Sequence, residues 1–89
     1  MKAVFQTSQF RKDVKRAGKR GKDLTKLMEV IRLISSGSAL PEKHRDHPLS
    51  GNWSGSRDCH VEPDWLLIYR VDSENLFLER TGTHSDVFR

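Results

Sequence analysis

Trp65-Leu66-Leu67-Ile68-Tyr69-Arg70-Val71 is the stretch whose reading decides the fold. It is apolar nearly throughout, with the turn Glu62-Pro63-Asp64 before it and a hairpin loop, Asp72 to Asn75, after it. A short apolar run bounded by turn residues reads as a strand covered on both faces, hence central in a sheet. On its N-terminal side, Arg57 to Val61 alternates. Cys59 and Val61 share one face, and Asp58 and His60 share the other. On its C-terminal side, Leu76 to Thr81 is the next strand, and Gly82 breaks it. Three consecutive strands joined by short turns make an antiparallel meander.

The N-terminal half supplies the cover for this sheet. Lys2 to Gln6 fits a short strand, and Thr7 or Ser8 offers an N-cap oxygen. Phe10, Val14 and Ala17 follow at helical spacing, and Gly18 and Gly21 weaken and end that helix. A second helix fits Asp23 to Ser35. Leu24, Leu27, Met28, Ile31 and Ile34 form its apolar stripe, Val30 and Leu33 widen it, and Gly37 is its stop. The two helices read as an αα-hairpin. Its stripe on one sheet face gives an α+β fold, with a short N-terminal strand and the hairpin packed on an antiparallel sheet. Ser38 to Ser56 reads as a long loop, of the kind more often functional than idle. Residues 1–89 are expected to form a single domain, burying only about 60 % of the unfolded surface.

Charge is lopsided. Residues 1–45 hold 12 Lys/Arg against 4 Asp/Glu, and residues 46–89 hold 4 against 8. The dense run around Lys15, Arg16, Lys19, Arg20 and Lys22 suits a polyanion, because neutralising phosphates releases counterions. A merely solvated helix face or an acidic protein partner would show the same composition. Cys59 is the single cysteine, which excludes an internal disulfide and fits a reducing compartment. No stretch is apolar and long enough for a signal peptide or a membrane span, so a cytoplasmic protein without a membrane partner is expected.

All four histidines, His44, His47, His60 and His84, lie beyond residue 43. Imidazole exchanges protons near neutral pH, and arginine offers a planar charge suited to phosphate. The meander brings His60 close to Asp64, and it sets Arg80 on a strand adjacent to Trp65. Arg80 and His84, four apart, would share a face if the strand continued. Taken singly, each residue has a plainer explanation. His60 and Asp64 could be a surface ion pair, and His44 and His47 loop histidines. Arg80 could pair with Glu79, and Trp65 could be a core aromatic. Tyr69 is assigned to the core, while Phe88 either pins the tail or stacks on a base. A metal site is the competing chemistry, but no Cys-x-x-Cys or His-Glu-x-x-His accompanies these residues, and no cofactor is expected.

Across essentially its whole length the chain resembles the RelE/ParE superfamily of bacterial type II toxins, and within it the YafQ-like branch. The matching stretches are Lys43-x-x-Asp46-His47-Pro48-Leu49-x-Gly51-x-Trp53-x-Gly55, Arg57-Asp58-x-His60-Val61-Glu62-Pro63-Asp64-Trp65-x-Leu67-Ile68-Tyr69 and Glu79-Arg80-Thr81-Gly82-Thr83-His84. Ser8-x-x-x-Lys12-Asp13-Val14-Lys15 also matches. The branch's set of functional residues corresponds to His47, His60, Asp64, Trp65, Arg80, His84 and Phe88, and the pattern expects a small residue where Arg89 stands.

The resemblance implies a RelE-like fold and a ribosome-dependent mRNA interferase that cuts mRNA in the decoding site and inhibits translation. It also implies a cognate RelB- or DinJ-like antitoxin, through which alone the complex would contact operator DNA. The implied chemistry is metal-independent. The 2′-OH attacks the adjacent phosphorus, leaving a 2′,3′-cyclic phosphate and a 5′-OH. Asp64 or His47 would be the base and His84 the acid, with His60 sharing the proton traffic. Arg80 would stabilise the phosphorane, Trp65 and Phe88 would shape the nucleotide pocket, and Lys15, Arg16, Lys19 and Arg20 would grip ribosomal RNA. The rival functions are a ParE-like toxin that is not a nuclease, a ribonuclease active without ribosomes, and a metal-dependent nuclease.

Overall fold

In the computed structural model, which describes residues 1–88, Trp65–Val71 forms the central strand β4 of a five-stranded sheet. The other strands are β1 (Ala3–Gln6), β2 (His47–Pro48), β3 (Arg57–Glu62) and β5 (Asn75–Gly82), and the order across the sheet is β1-β5-β4-β3-β2. Trp65, Leu67 and Tyr69 join the helices in the main core, while Leu66 and Ile68 are equally buried outside that cluster. Each such aliphatic side chain contributes about 1.5–3 kcal/mol of transfer free energy. Arg89, where a small residue was expected, lies outside the described residues.

The meander β3-β4-β5 is antiparallel, as its short turns require. The sheet as a whole is not. β1 pairs with β5 in parallel, Ala3 beside Asn75 and Gln6 beside Leu78, so the expected antiparallel sheet is mixed. The long connection from β1 through both helices allows this pairing. The expected Ser38–Ser56 loop is also not bare. It contains short 3-10 turns at Glu42–His44 and Gly51–Trp53, and His47–Pro48 pairs with Arg57 and Asp58 at the sheet edge.

Helix α1 (Ser8–Lys19) starts where the Thr7 side chain accepts the Phe10 N–H at 2.9 Å. It runs through Gly18 and ends before Gly21. Helix α2 (Leu24–Ser35) is capped by Asp23 and stopped at Gly37, whose φ of 79° lets the Ser38 N–H reach back to the Leu33 carbonyl. Its buried residues are Leu27, Val30, Ile31, Ile34 and Ser35. The core-facing stripe is therefore rotated from the expected one: Met28 is 62 % exposed and Val30 only 2 %. A final short helix, α3 (His84–Val87), follows β5 directly.

Candidate active site

Three chain segments meet at the β3–β4 turn and the end of β5. His60 sits near the end of β3, and its Nδ1–H donates to the Pro63 carbonyl at 3.1 Å. Asp64 lies in the turn. His84 opens α3, because Thr83 and Asp86 form a reciprocal capping box that starts the helix there. Gly82 makes this close approach possible. Its φ is 154°, and a Cβ on it would stand 2.9 Å from the Asp86 side chain. Both the backbone N–H and the ring Nδ1–H of His84 reach Asp64 Oδ1, at 3.0 and 2.6 Å.

The expected His60–Asp64 pair is therefore corrected: Asp64 holds His84. The reason is α3, which turns the chain back over the β3–β4 turn. Arg80 and His84 are not strand neighbours either, because β5 ends at Gly82. His60 and His84 still come together, with ring centroids 5.6 Å apart in an edge-to-face arrangement. The hydrogen bonds from the His84 ring and then its backbone hold the Asp64 carboxyl below the usual carboxylate range.

His47 approaches from β2. Its Nδ1–H donates to the Arg45 carbonyl at 2.7 Å, and Nε2 lies 3.7 Å from Asp58 Oδ2. That places the Nε2 lone pair, in the neutral imidazole, beside a carboxylate. Asp58 is 3 % exposed, and its Oδ1 has no hydrogen-bond partner among the described residues. Burial pushes its pKa up, and the charges of His47, then His60, then His84 only partly offset this. Asp58 is thus the carboxylate around which three histidines gather. From sequence it was only a polar neighbour of His60 on the strand.

Phe88 is 38 % exposed, its ring 6.4 Å from that of His84 and 6.4 Å, edge-on, from that of Trp53. Trp53, which carried no role at the sequence level, becomes the second aromatic wall. Trp65 does not line this surface. It is 1 % exposed, its indole N–H donates to the Thr81 hydroxyl, and Lys22 lies over its ring. The sheet alternation turns it into the core. His44 is also structural, buried with its Nδ1–H on the His60 carbonyl at 2.6 Å.

Arg80 does not pair with Glu79. Its Nε–H donates to Asp13 Oδ2 of α1 at 2.7 Å, and the side chain is 21 % exposed. Arg16 on α1 and Arg20 just past its end are drawn to Asp86, at 3.8 and 2.6 Å, while Lys15 and Lys19 are exposed and make no ion pair among the described residues. The basic face therefore divides into two arginines that anchor α3 and lysines that point to solvent. Among the described residues, no group of three or more His, Cys, Asp and Glu is arranged to hold a metal ion, and no helix is long and apolar enough to cross a membrane.

The arrangement offers two half-exposed imidazoles, His47 and His84, each pinned through Nδ1 with Nε2 available for proton transfer. The chain is 49 % identical over 83 residues to the mRNA interferase toxin YafQ of Escherichia coli strain K12, covering 92 % of this chain and 90 % of that relative. The crystal structure of YafQ from E. coli strain BL21(DE3) superposes with a TM-score of 0.95 at 44 % identity, covering all of both chains. The YafQ chain in the E. coli DinJ–YafQ toxin–antitoxin complex gives 0.92 at 46 % identity, over 99 % of this chain and 98 % of that one. The model of the family described as the bacterial toxin of type II toxin–antitoxin systems, YafQ, matches residues 2–89, and the chain belongs to that family.

Proposed function

We propose that residues 1–89 act as one toxin domain, an endoribonuclease that cuts mRNA on the ribosome and so stops translation. The observation that carries this reading is the pair of Nδ1-anchored imidazoles, His47 beside the buried Asp58 and His84 beside the aromatic rings of Phe88 and Trp53. His47 Nε2 takes the 2′-OH proton as the 2′ oxygen bonds to phosphorus. His84 Nε2 gives its proton to the departing 5′ oxygen as the P–O5′ bond breaks. Each such group typically contributes about 10²–10⁴-fold. Between the two candidate bases His47 is favoured, because the two hydrogen bonds from His84 to Asp64 Oδ1 make that carboxylate a weaker base. Asp58, 3.7 Å from His47 Nε2, stabilises by its charge the imidazolium that forms there. His60 packs against His84, and Arg80 meets the charge that develops on the phosphate.

The site is an open surface, which suits a strand laid across it and held by another body. Lys15 and Lys19, with Arg16 and Arg20 behind them, would meet ribosomal RNA backbone. The E. coli relative is known in complex with DinJ, and a DinJ-like antitoxin is the corresponding partner here, with operator DNA reached only through it. Ribosomes as the workplace put the protein in the cytoplasm. The test is purified translation with and without ribosomes, with mRNA ends mapped by primer extension. A discrete cut only with ribosomes supports the reading. Equal cutting of naked RNA would make this a free-standing ribonuclease, and translation arrest without cuts would make it a toxin of another kind.

A further inference from the structure

The Asp13 side chain is wholly shut off from solvent, although it lies on α1 and far along the chain from every histidine. Its two oxygens take five donors. Oδ2 accepts the Arg80 Nε–H at 2.7 Å and the Thr81 backbone N–H at 3.1 Å. Oδ1 accepts Arg16 Nη2 at 3.0 Å, Gln9 Nε2 at 3.1 Å and Arg80 Nη2 at 3.3 Å. Burial alone would raise its pKa, but the bonds from Arg80, Gln9 and Thr81 outweigh burial and hold it below the usual carboxylate range.

A buried ion pair is a poor way to stabilise a fold, since an apolar residue of similar size often does as well. α1 already packs through Phe10 and Ala17. What the carboxylate supplies is direction. It takes the Nε and Nη2 edge of the Arg80 guanidinium, a two-pronged geometry that lysine cannot reproduce. Arg80 Nη2 also touches the Asp86 carbonyl at 3.3 Å, in the short helix that begins with His84. Nη1 is left without a hydrogen bond among the described residues.

We infer that Asp13 is a positioning residue for the cleavage reaction: it fixes the Arg80 guanidinium so that its free edge faces the scissile phosphate, in register with His84. This rests on the proposed phosphate role of Arg80. Without Asp13 the guanidinium keeps its charge but swings, and small misplacements of a reacting group cost about 100-fold.

Single-turnover cleavage of ribosome-bound mRNA by Asp13→Asn, Arg80→Ala and the double variant tests it. The expected result is a loss of about 100-fold in the rate constant for Asp13→Asn, with affinity for programmed ribosomes unchanged. In the Arg80→Ala background, Asp13→Asn should then cause no further loss. Multiplying losses would overturn the inference, because Asp13 would be acting independently of Arg80. Wild-type cleavage by Asp13→Asn beside an impaired Arg80→Ala would overturn it too, and leave the role of Arg80 intact. Wild-type cleavage by Arg80→Ala would remove the phosphate role itself, and the inference with it. Should Asp13→Asn not fold, the wild-type protein still decides. The Arg80 Nε–H resonance, assigned through Arg80→Lys, should exchange slowly and ignore added salt. Exchange as fast as that of a free arginine would overturn the positioning role.

Discussion

The His84 backbone N–H and ring Nδ1–H converge on one oxygen of Asp64, at 3.0 and 2.6 Å. One exposed carboxylate thus holds the first residue of α3 and sets which way its imidazole points, while the Thr83–Asp86 capping box starts the helix. Replacing Asp64 by Ala should leave thermal stability unchanged and lower single-turnover cleavage by about 100-fold, the cost of a misaimed acid. His84→Ala should lose about 10²–10⁴-fold. A substrate with a 5′-bridging sulfur, whose leaving group needs no proton, should recover most of that loss. A loss by His84→Ala that is as large on the sulfur substrate as on the natural one would argue against the acid role.

Asp58 should trade stability for activity. Its folded pKa is raised by burial, so stability is fully present below the ordinary carboxylate pKa of about 3.9 and is lost as pH rises through the raised value. Asp58→Asn should therefore melt higher than wild type at neutral pH, and the difference should close in acid. Cleavage should fall, because nothing then supports charge on His47. Thermal melts across pH, paired with cleavage rates, check both halves. A variant both less stable and fully active would sink this account.

Asp86 carries the opposite sign. The Arg20 hydrogen bond first, with help from Thr83 and Arg16 against some burial, holds its carboxyl well below the usual range. Its contribution is present above the ordinary carboxylate pKa and is lost only as pH falls through the depressed folded value. α3 should stay docked in mildly acidic solution. Asp86→Asn should speed amide exchange at Val87 and Phe88, whose N–H groups bond Thr83 and His84, and leave the sheet amides unaltered. Unchanged exchange at these two positions would mean that the arginines do not anchor the helix.

Trp65 tests the division between core and site. Its indole N–H meets the Thr81 hydroxyl at 2.9 Å, and that hydroxyl donates to the Leu66 carbonyl. Trp65→Phe leaves a buried acceptor unpaired and should cost about 1–3 kcal/mol in denaturant unfolding. Cleavage at low temperature should remain near wild type. Loss of cleavage with stability intact would return Trp65 to the nucleotide pocket.

The sequence made some of this legible because local rules sufficed. The seven residues from Trp65 could only be a covered strand, and Asp23 and Gly37 bracket α2 by capping chemistry alone. The parallel pairing of β1 with β5 has no local signature, since it depends on what two helices allow. Met28 and Val30 exchanged places because a stripe on a helical wheel does not say which edge tilts toward the sheet. At the site, His47, His60 and His84 were visible by residue type, but their partners were not. Thr83-x-x-Asp86 is a readable helix start, and reading it would have moved His84 off the strand and onto Asp64. Asp58 and Asp13 became notable only once burial was known.

The β1–β5 pairing also has a consequence for timing. Ala3 finds its partner only at Asn75, so the sheet edge cannot close until most of the chain has been synthesised. Contacts this distant along the chain are slow to form. β5 and α3, which carry Arg80 and His84, are made after the strands they pack against. A nascent chain of this protein therefore holds β3, His47 and His60 before Arg80 and His84 have been made.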